Sequence, residues 1–309
     1  MDRVVLVTGG CGFIGTWVLR ELLELGAQPI VIDAQPVPQR WQRVLGGGAA
    51  RVVRADASLL DRDRLQAVIE QHRVTHIIHL AALLTPACQQ DPWLGVQVNV
   101  MGSAAVFDAA HRSGRVRCVS YASSYAVYGS EARLGDTAPD RPPSFYGAFK
   151  QAVDLIAEQY WQHFGIASVA IRPHVVYGPE RDQGLTAGPS LACRAAALGE
   201  SYSIGYTGRV GYDYVEDVSR ALVRGAFECS RDATIIDLYG EQATPQEFIR
   251  AIESIAPESA GRLHVSGPEI PASIPPQPRP ITQLFTDWQS TALLDGVRQT
   301  VDFYRRGGR

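Results

Sequence analysis

A tyrosine and a lysine stand four positions apart in "SFYGAFK" (144–150), with Ser124 upstream in "SSYAVYG" (123–129). On a helix, residues i and i+4 share a face, so Tyr146 and Lys150 would meet one turn apart. A phenol titrates near 10, so a tyrosine that takes protons near neutrality needs a depressed pKa. Lowering it by about three units requires roughly 4 kcal/mol of preferential phenolate stabilisation. The charge of the Lys150 ammonium would supply part of that. Ser124 would bond the same substrate oxygen and fix its geometry. Tyr and Lys at this spacing also occur by chance in ordinary amphipathic helices, so the pair takes its meaning from its surroundings.

The first of these surroundings is "VVLVTGGCGFIG" (4–15), where Gly10, Gly12 and Gly15 have GxGxxG spacing and Gly9, Gly12 and Gly15 fit GxxGxxG. A strand precedes the motif and a helix starting at Phe13 and Ile14 follows, the context in which glycines let backbone N–H groups approach a pyrophosphate. Asp33 ends the next apolar run at about the distance from which a carboxylate reaches a ribose diol and repels a 2′-phosphate. The cofactor expected is NAD, with Arg40 as a nearby cation that would act the other way.

The elements that must position these groups alternate in type. β-branched runs at 3–9, 28–33, 51–56, 75–82, 115–123 and 167–173 read as strands. Apolar-periodic segments at 13–25, 59–71, 93–112 and 146–164 read as helices. Near-continuous apolar strands separated by helices imply an α/β fold, a Rossmann-type doubly wound parallel sheet. Beyond residue 174, helices are expected near 187–198, 216–228, 245–255 and 290–305, and strands near 202–204 and 234–238. The six prolines in 266–280 require a loop. The expected plan is an NAD-binding domain over 1–173, with a segment near 205–240 returning to it, and a smaller α/β substrate lobe over 174–309.

Composition narrows the class. With 309 residues, 46% hydrophobic and 20% charged, the chain is an ordinary globular one. A net charge of -3 gives no electrostatic case for nucleic acid or an anionic membrane. No run approaches the roughly 20 apolar residues of a membrane span. The start lacks a signal-peptide pattern, which reads as cytoplasmic. Cys11, Cys88, Cys118, Cys193 and Cys229 are scattered singly and read as reduced thiols. His76 and His79 suggest a metal site, yet i and i+3 of a strand face opposite ways, so no metal is expected.

In this order the motifs resemble the extended short-chain dehydrogenase/reductases, the NAD-dependent epimerase/dehydratase family that includes nucleotide-sugar epimerases. They are "TGGCGFIG" (8–15), "AD" (55–56), "HLAA" (79–82), "NVMGS" (99–103), "SSYAVYG" (123–129), "YGAFK" (146–150) and "RPHVVYGP" (172–179). The resemblance implies that Tyr146 is the general base or acid, Lys150 holds the nicotinamide ribose, Ser124 meets the substrate hydroxyl and Asn99 supports the active site. It further implies cofactor contacts at Gly9, Gly12, Phe13, Ile14, Gly15, Asp33, Asp56, Ala57, Leu80, Ala81, Ala82 and Pro173. Asp56 would reach the adenine amine. Leu83, Ser124, Tyr125, His174, Arg181 and Tyr212 are the candidate substrate contacts, with the loop 181–190 closing over a small-molecule substrate. Family members commonly dimerise through two helices per subunit, here 93–112 and 146–164.

The chain also departs from the family. Tyr125 and Ala126 stand where the dehydratases carry Asp-Glu, which disfavours elimination of water. Val175 replaces a usual Asn, Tyr212 a usual Arg, and the late Arg-Pro-Gly-Asp element reduces to Arg279–Pro280 followed by Ile281 and Thr282. A buried diphosphate needs paired cations, so these losses argue against UDP recognition. The expected activity is NAD-dependent oxidation of a secondary hydroxyl on a sugar-like or polyhydroxy-acid substrate. UDP-sugar 4-epimerisation is the alternative, and NAD sensing without catalysis a third reading.

Overall fold

A computed structural model describes residues 3–129, 141–270 and 279–307. The first half runs β1 (Val4–Thr8), α1 (Phe13–Glu24), β2 (Gln28–Ile32), α2 (Gln39–Leu45), β3 (Val53–Arg54), α3 (Arg62–Gln71), β4 (His76–His79) and α4 (Thr85–Gln90). There follow α5 (Pro92–Gly95), α6 (Gly102–Ser113), β5 (Val119–Ala122), α7 (Phe145–Phe164), β6 (Ser168–Arg172) and β7 (Val175–Tyr177). The rest comprises α8 (Gly188–Leu198), β8 (Tyr202–Ile204), β9 (Val210–Tyr214), α9 (Val215–Phe227), β10 (Ala233–Asp237), β11 (Glu241–Ala243), α10 (Pro245–Ile255), β12 (Leu263–Val265) and α11 (Leu293–Arg305).

Strands rich in Val and Ile pair because both of their faces can be buried. Among the described residues, seven strands lie in one parallel sheet in the order β10-β6-β5-β4-β1-β2-β3. Trp17, Val18 and Leu22 of α1 and Val218 and Leu222 of α9 belong to the core on one face. Leu65 and Ile69 of α3, Phe107 of α6 and Val153 of α7 belong to the core on the other. Strand order reverses between β1 and β4, and such a reversal opens a crevice beyond the carboxyl ends of the strands.

The return near 205–240 is made by α9, which packs against β4, β5 and β6, and by β10, which extends the sheet beside β6. Between and beyond these, β7, β9 and β11 form a three-stranded sheet, and β8 pairs with β12. Of these, β8 is the strand expected near 202–204; the others are three to five residues long, too short for a clear periodic signal in the sequence. Of the proline-rich stretch, 271–278 lies outside the described residues.

One expectation is refined and one corrected. The helix expected over 93–112 runs unbroken from Pro92 to Ser113, but its Val96–Met101 stretch is π-helical. Apolar spacing does not reveal a widened turn, because the same side chains still reach the core. The cysteines are not all free: Cys118 and Cys229 form a disulfide, with Cα atoms 6.3 Å apart, while Cys11, Cys88 and Cys193 are free. The two are 111 residues apart, and only the packing of α9 on β5 brings them together. The strand histidines do face opposite ways. His76 meets the Phe227 ring edge-on, whereas His79 bonds Thr8 and Ser103.

Candidate active site

Tyr146 lies in the first turn of α7. Ser144 caps that helix, its Oγ accepting from the Gly147 N–H at 3.1 Å. A Cβ on Gly147 would collide with the Ala126 carbonyl and with Pro142, so only glycine lets α7 rest directly on the 3₁₀ turn Tyr125–Val127. Ser124 caps this turn, accepting from the Ala126 N–H at 3.1 Å, and its hydroxyl lies beside the Tyr146 phenol. Lys150 follows one turn on, with Nζ 5.6 Å from the Tyr146 ring centre and donating to the Ala122 carbonyl at 2.6 Å. The crossing of α7 with the end of β5 therefore joins all three groups.

Burial pushes the Tyr146 phenol up to about 12, against the Ser124 hydroxyl and the charge of Arg181, which favour the phenolate. Burial also pulls the Lys150 ammonium down to about 8, with Asp154 opposing that shift. One turn beyond Lys150, Asp154 accepts hydrogen bonds from Tyr121, Ser123 and Arg172. Arg172 also donates to the Tyr128 hydroxyl, which donates to Asp237. Sequence reasoning missed this buried network. Its signal was a polar residue at the third step of the i, i+4, i+8 face begun by Tyr146 and Lys150.

The crevice between β1 and β4 suits a dinucleotide. Gly9 has φ of 73°, and a Cβ there would strike the backbone of Leu80 and Ala81. No side chain caps α1 at Gly12, so the N–H groups of its first turn (Phe13, Ile14, Gly15) remain available to an anion. Thr8 Oγ1 accepts from the N–H groups of Leu80 and Ala81 and bonds His79, which fixes the floor of the crevice. Asp33 accepts from the Cys11 and Gln35 N–H groups, both at 2.8 Å, and as a carboxylate has acceptor capacity left for a ribose diol. Arg40 is drawn away to Asp182, and the cation beside Asp33 is instead Arg54, on the carbonyls of Asp33 and Gln35. Asp56 is exposed, its carbonyl held by Arg64, while Ala57 and Ala82 are half-buried. Pro173 is buried and its carbonyl accepts from the Tyr125 N–H. These residues fit NAD.

On the substrate side the candidates separate. Asn99, in the π-helical stretch, clamps both backbone groups of Leu83, accepting at 2.7 Å and donating at 2.9 Å. Tyr125 is 4% exposed, stacked on His174 and bonded to Tyr239. His174 is half-buried, and its Nδ1 accepts from the Gly211 N–H at 2.9 Å. Tyr212 belongs to the hydrophobic core: 3% exposed, packed against Phe248 and bonded to Tyr206. Its neighbour Arg209 is paired with Glu247, and the exposed Arg279 contacts Asp237 through its backbone. Arg181 is half-buried, and its charge bears on the Tyr146 phenol.

The chain matches the model of the NAD dependent epimerase/dehydratase family over residues 5–233. It is 27% identical to the UDP-glucose 4-epimerase of Mycolicibacterium smegmatis, covering 97% of this chain and 98% of that protein. It is 26% identical to UDP-glucuronate 4-epimerase 3 of Arabidopsis thaliana over 74% of this chain and 56% of that one. Among solved structures, the UDP-glucose 4-epimerase of Thermus thermophilus in complex with NAD superposes with a TM-score of 0.79 at 27% identity, covering 99% of each chain. With the glycine cradle, Asp33 and the Ser124–Tyr146–Lys150 cluster in place, the chain belongs to the NAD-dependent epimerase/dehydratase family and is an NAD-dependent enzyme of the short-chain dehydrogenase/reductase type.

Proposed function

We propose that this enzyme oxidises a secondary hydroxyl of a sugar-like or polyhydroxy-acid substrate. The observation that carries the reading is the convergence of Ser124 and Tyr146 where α7 rests on the Tyr125–Val127 turn, with Lys150 one turn below on the same helix face. Tyr146 takes the hydroxyl proton, Ser124 orients the substrate oxygen, and Lys150 keeps the phenolate accessible and holds the cofactor ribose. NAD, when bound, accepts the hydride, and its positive ring favours the phenolate against the burial that raises Tyr146. Asn99 acts indirectly, by fixing the backbone of Leu83 at the edge of the cleft. Gly9, Gly12 and Gly15 with Asp33 hold the dinucleotide, which assigns NAD binding to 1–173 plus the returning α9 and β10 and substrate binding to the remainder.

Net dehydrogenation is favoured because two of the cations expected for a diphosphate are missing or engaged. Tyr212 stands buried where the family carries an arginine, and Arg209 pairs with Glu247. UDP-sugar 4-epimerisation is the second reading, favoured by near full-length similarity to a UDP-glucose 4-epimerase. The enzyme would be incubated with NAD and a panel of sugars, sugar acids and UDP-sugars, following absorbance at 340 nm and product stereochemistry by NMR. Stoichiometric or greater NADH release supports the dehydrogenase; isomerisation without net NADH supports the epimerase. Tyr146→Phe is expected to lower either rate by about 10²- to 10⁴-fold. Full activity in that variant sinks the mechanism, and no Tyr146-dependent turnover of any compound leaves the NAD-sensing reading.

We also propose a homodimer through α6 and α7. Leu155 and Phe164 of α7 are 59% and 52% exposed, and Met101, which directly precedes α6, is 53% exposed. An unpartnered face of this kind suits an equivalent copy.

A further inference from the structure

Arg181 differs from the other arginines around the cleft. Its flanking acids, Glu180 and Asp182, turn outward to Arg43 and Arg40 of α2, at 2.6 and 2.7 Å. Glu180 has φ of 73°, a left-handed value costly for a side-chain-bearing residue, and its N–H is held by the Tyr304 hydroxyl at 2.7 Å. This turn sends Arg181 inward. There it donates to the Val176 carbonyl and, at 2.8 Å, to the Thr186 hydroxyl. Among the described residues it has no carboxylate partner, unlike the more deeply buried Arg172, which is paired with Asp154 at 2.6 Å.

A guanidinium has five N–H donors, so these two bonds leave three for another acceptor. Burial lowers Arg181 only to about 10, so it is charged at neutral pH. Removing such a charge from water without a partner is costly, which calls for a ligand anion. The same loop closes on the opposite edge of the cleft. A Cβ on Gly184 would lie 3.3 Å from Leu84, next to the Leu83 backbone that Asn99 clamps. Arg181 Nη2 lies 3.7 Å from that same Cβ position, which places the guanidinium at the Leu83–Leu84 edge of the cleft.

We propose that Arg181 is the anchor for a carboxylate on the substrate, adjacent to the hydroxyl that Tyr146 deprotonates, so that the enzyme acts on a sugar acid. This rests on the oxidoreductase reading above and specifies its substrate class. A planar guanidinium with free donors suits a carboxylate bidentately. A diphosphate carries more charge than one cation offsets, and the neighbouring arginines are committed to Glu180 and Asp182. The carboxylate has two sources, a free aldonic acid or a uronic acid linked to a nucleotide.

The test compares acid and neutral partners on the NAD-loaded enzyme: D-erythronate with erythritol, D-gluconate with D-glucitol, and UDP-glucuronate with UDP-glucose. Binding is measured by calorimetry and turnover by NADH release or isomerisation. At least one acid is expected to be preferred over its partner, and the preferred pair identifies the source. In Arg181→Gln that preference should fall by roughly 10- to 100-fold, the scale of a lost charge-assisted pair, with partial recovery in Arg181→Lys. Thermal melting and NAD affinity confirm that the variants fold. The inference is overturned if no acid is preferred, or if Arg181→Gln weakens acid and neutral compounds equally. Tyr146-dependent turnover of neutral compounds alone would leave the oxidoreductase reading standing without it. Arg181-dependent acid binding with no Tyr146-dependent turnover would keep the carboxylate subsite and remove the parent reading.

Discussion

Tyr146 illustrates how a residue's type and its setting pull in different directions. The phenol is the right group for proton transfer, but burial raises it to about 12 while Ser124 and Arg181 work to lower it. Lys150, pulled down to about 8, loses its charge as pH rises through that value, so the alkaline limb of the rate profile should report it. Asp154 opposes that depression, and removing its charge should move the limb to lower pH. Asp154→Asn is therefore expected to shift the alkaline limb downward in a pH–kcat/KM profile. It also leaves Arg172 short of its buried partner, at a cost of about 3–5 kcal/mol in urea unfolding. An unmoved limb would show that the network supports the fold without tuning Lys150.

At the scale of elements, the site depends on how closely α7 approaches the turn after β5. Gly147 permits that approach, because any Cβ there meets the Ala126 carbonyl. Gly147→Ala should displace the first turn of α7 from Ser124, lowering kcat by at least about 10-fold. Overpacking at such a contact costs about 1–3 kcal/mol, read as a lower denaturation midpoint. Unchanged kcat in a destabilised variant would mean that the Ser124–Tyr146 geometry tolerates the shift. Opposite this contact, the π-helical stretch at Val96–Met101 carries the Asn99 that clamps Leu83, so the cleft is bounded by two irregular elements set on a regular sheet.

Across the whole molecule, the sheet supplies a rigid floor, and among the described residues an apolar face is exposed at Met101, Leu155 and Phe164. Light scattering is expected to give twice the 33.6 kDa chain mass. Leu155→Glu, placing a charge in the middle of that face, should yield the monomer with NAD binding intact. A wild-type monomer would exclude the homodimer. Because α7 also carries Tyr146 and Lys150, pairing through its outer face would stiffen the helix that holds the chemistry.

The sequence by itself determined the parallel sheet, the glycine turn, Asp33 and the Tyr146–Lys150 face, because each is a local pattern: strand runs, a short spacing, one helical turn. What it did not determine are features formed by residues far apart in the chain. Cys118 meets Cys229 across 111 residues, Arg40 leaves Asp33 for Asp182, and Tyr212 disappears into the hydrophobic core. Asp154 could have been read from its helical step, but its partners Arg172, Tyr121 and Ser123 come from other elements. The orientation of Arg181 was likewise decided only by the tertiary structure. Glu180 and Asp182 are claimed by α2, and the cation between them is left facing the cleft.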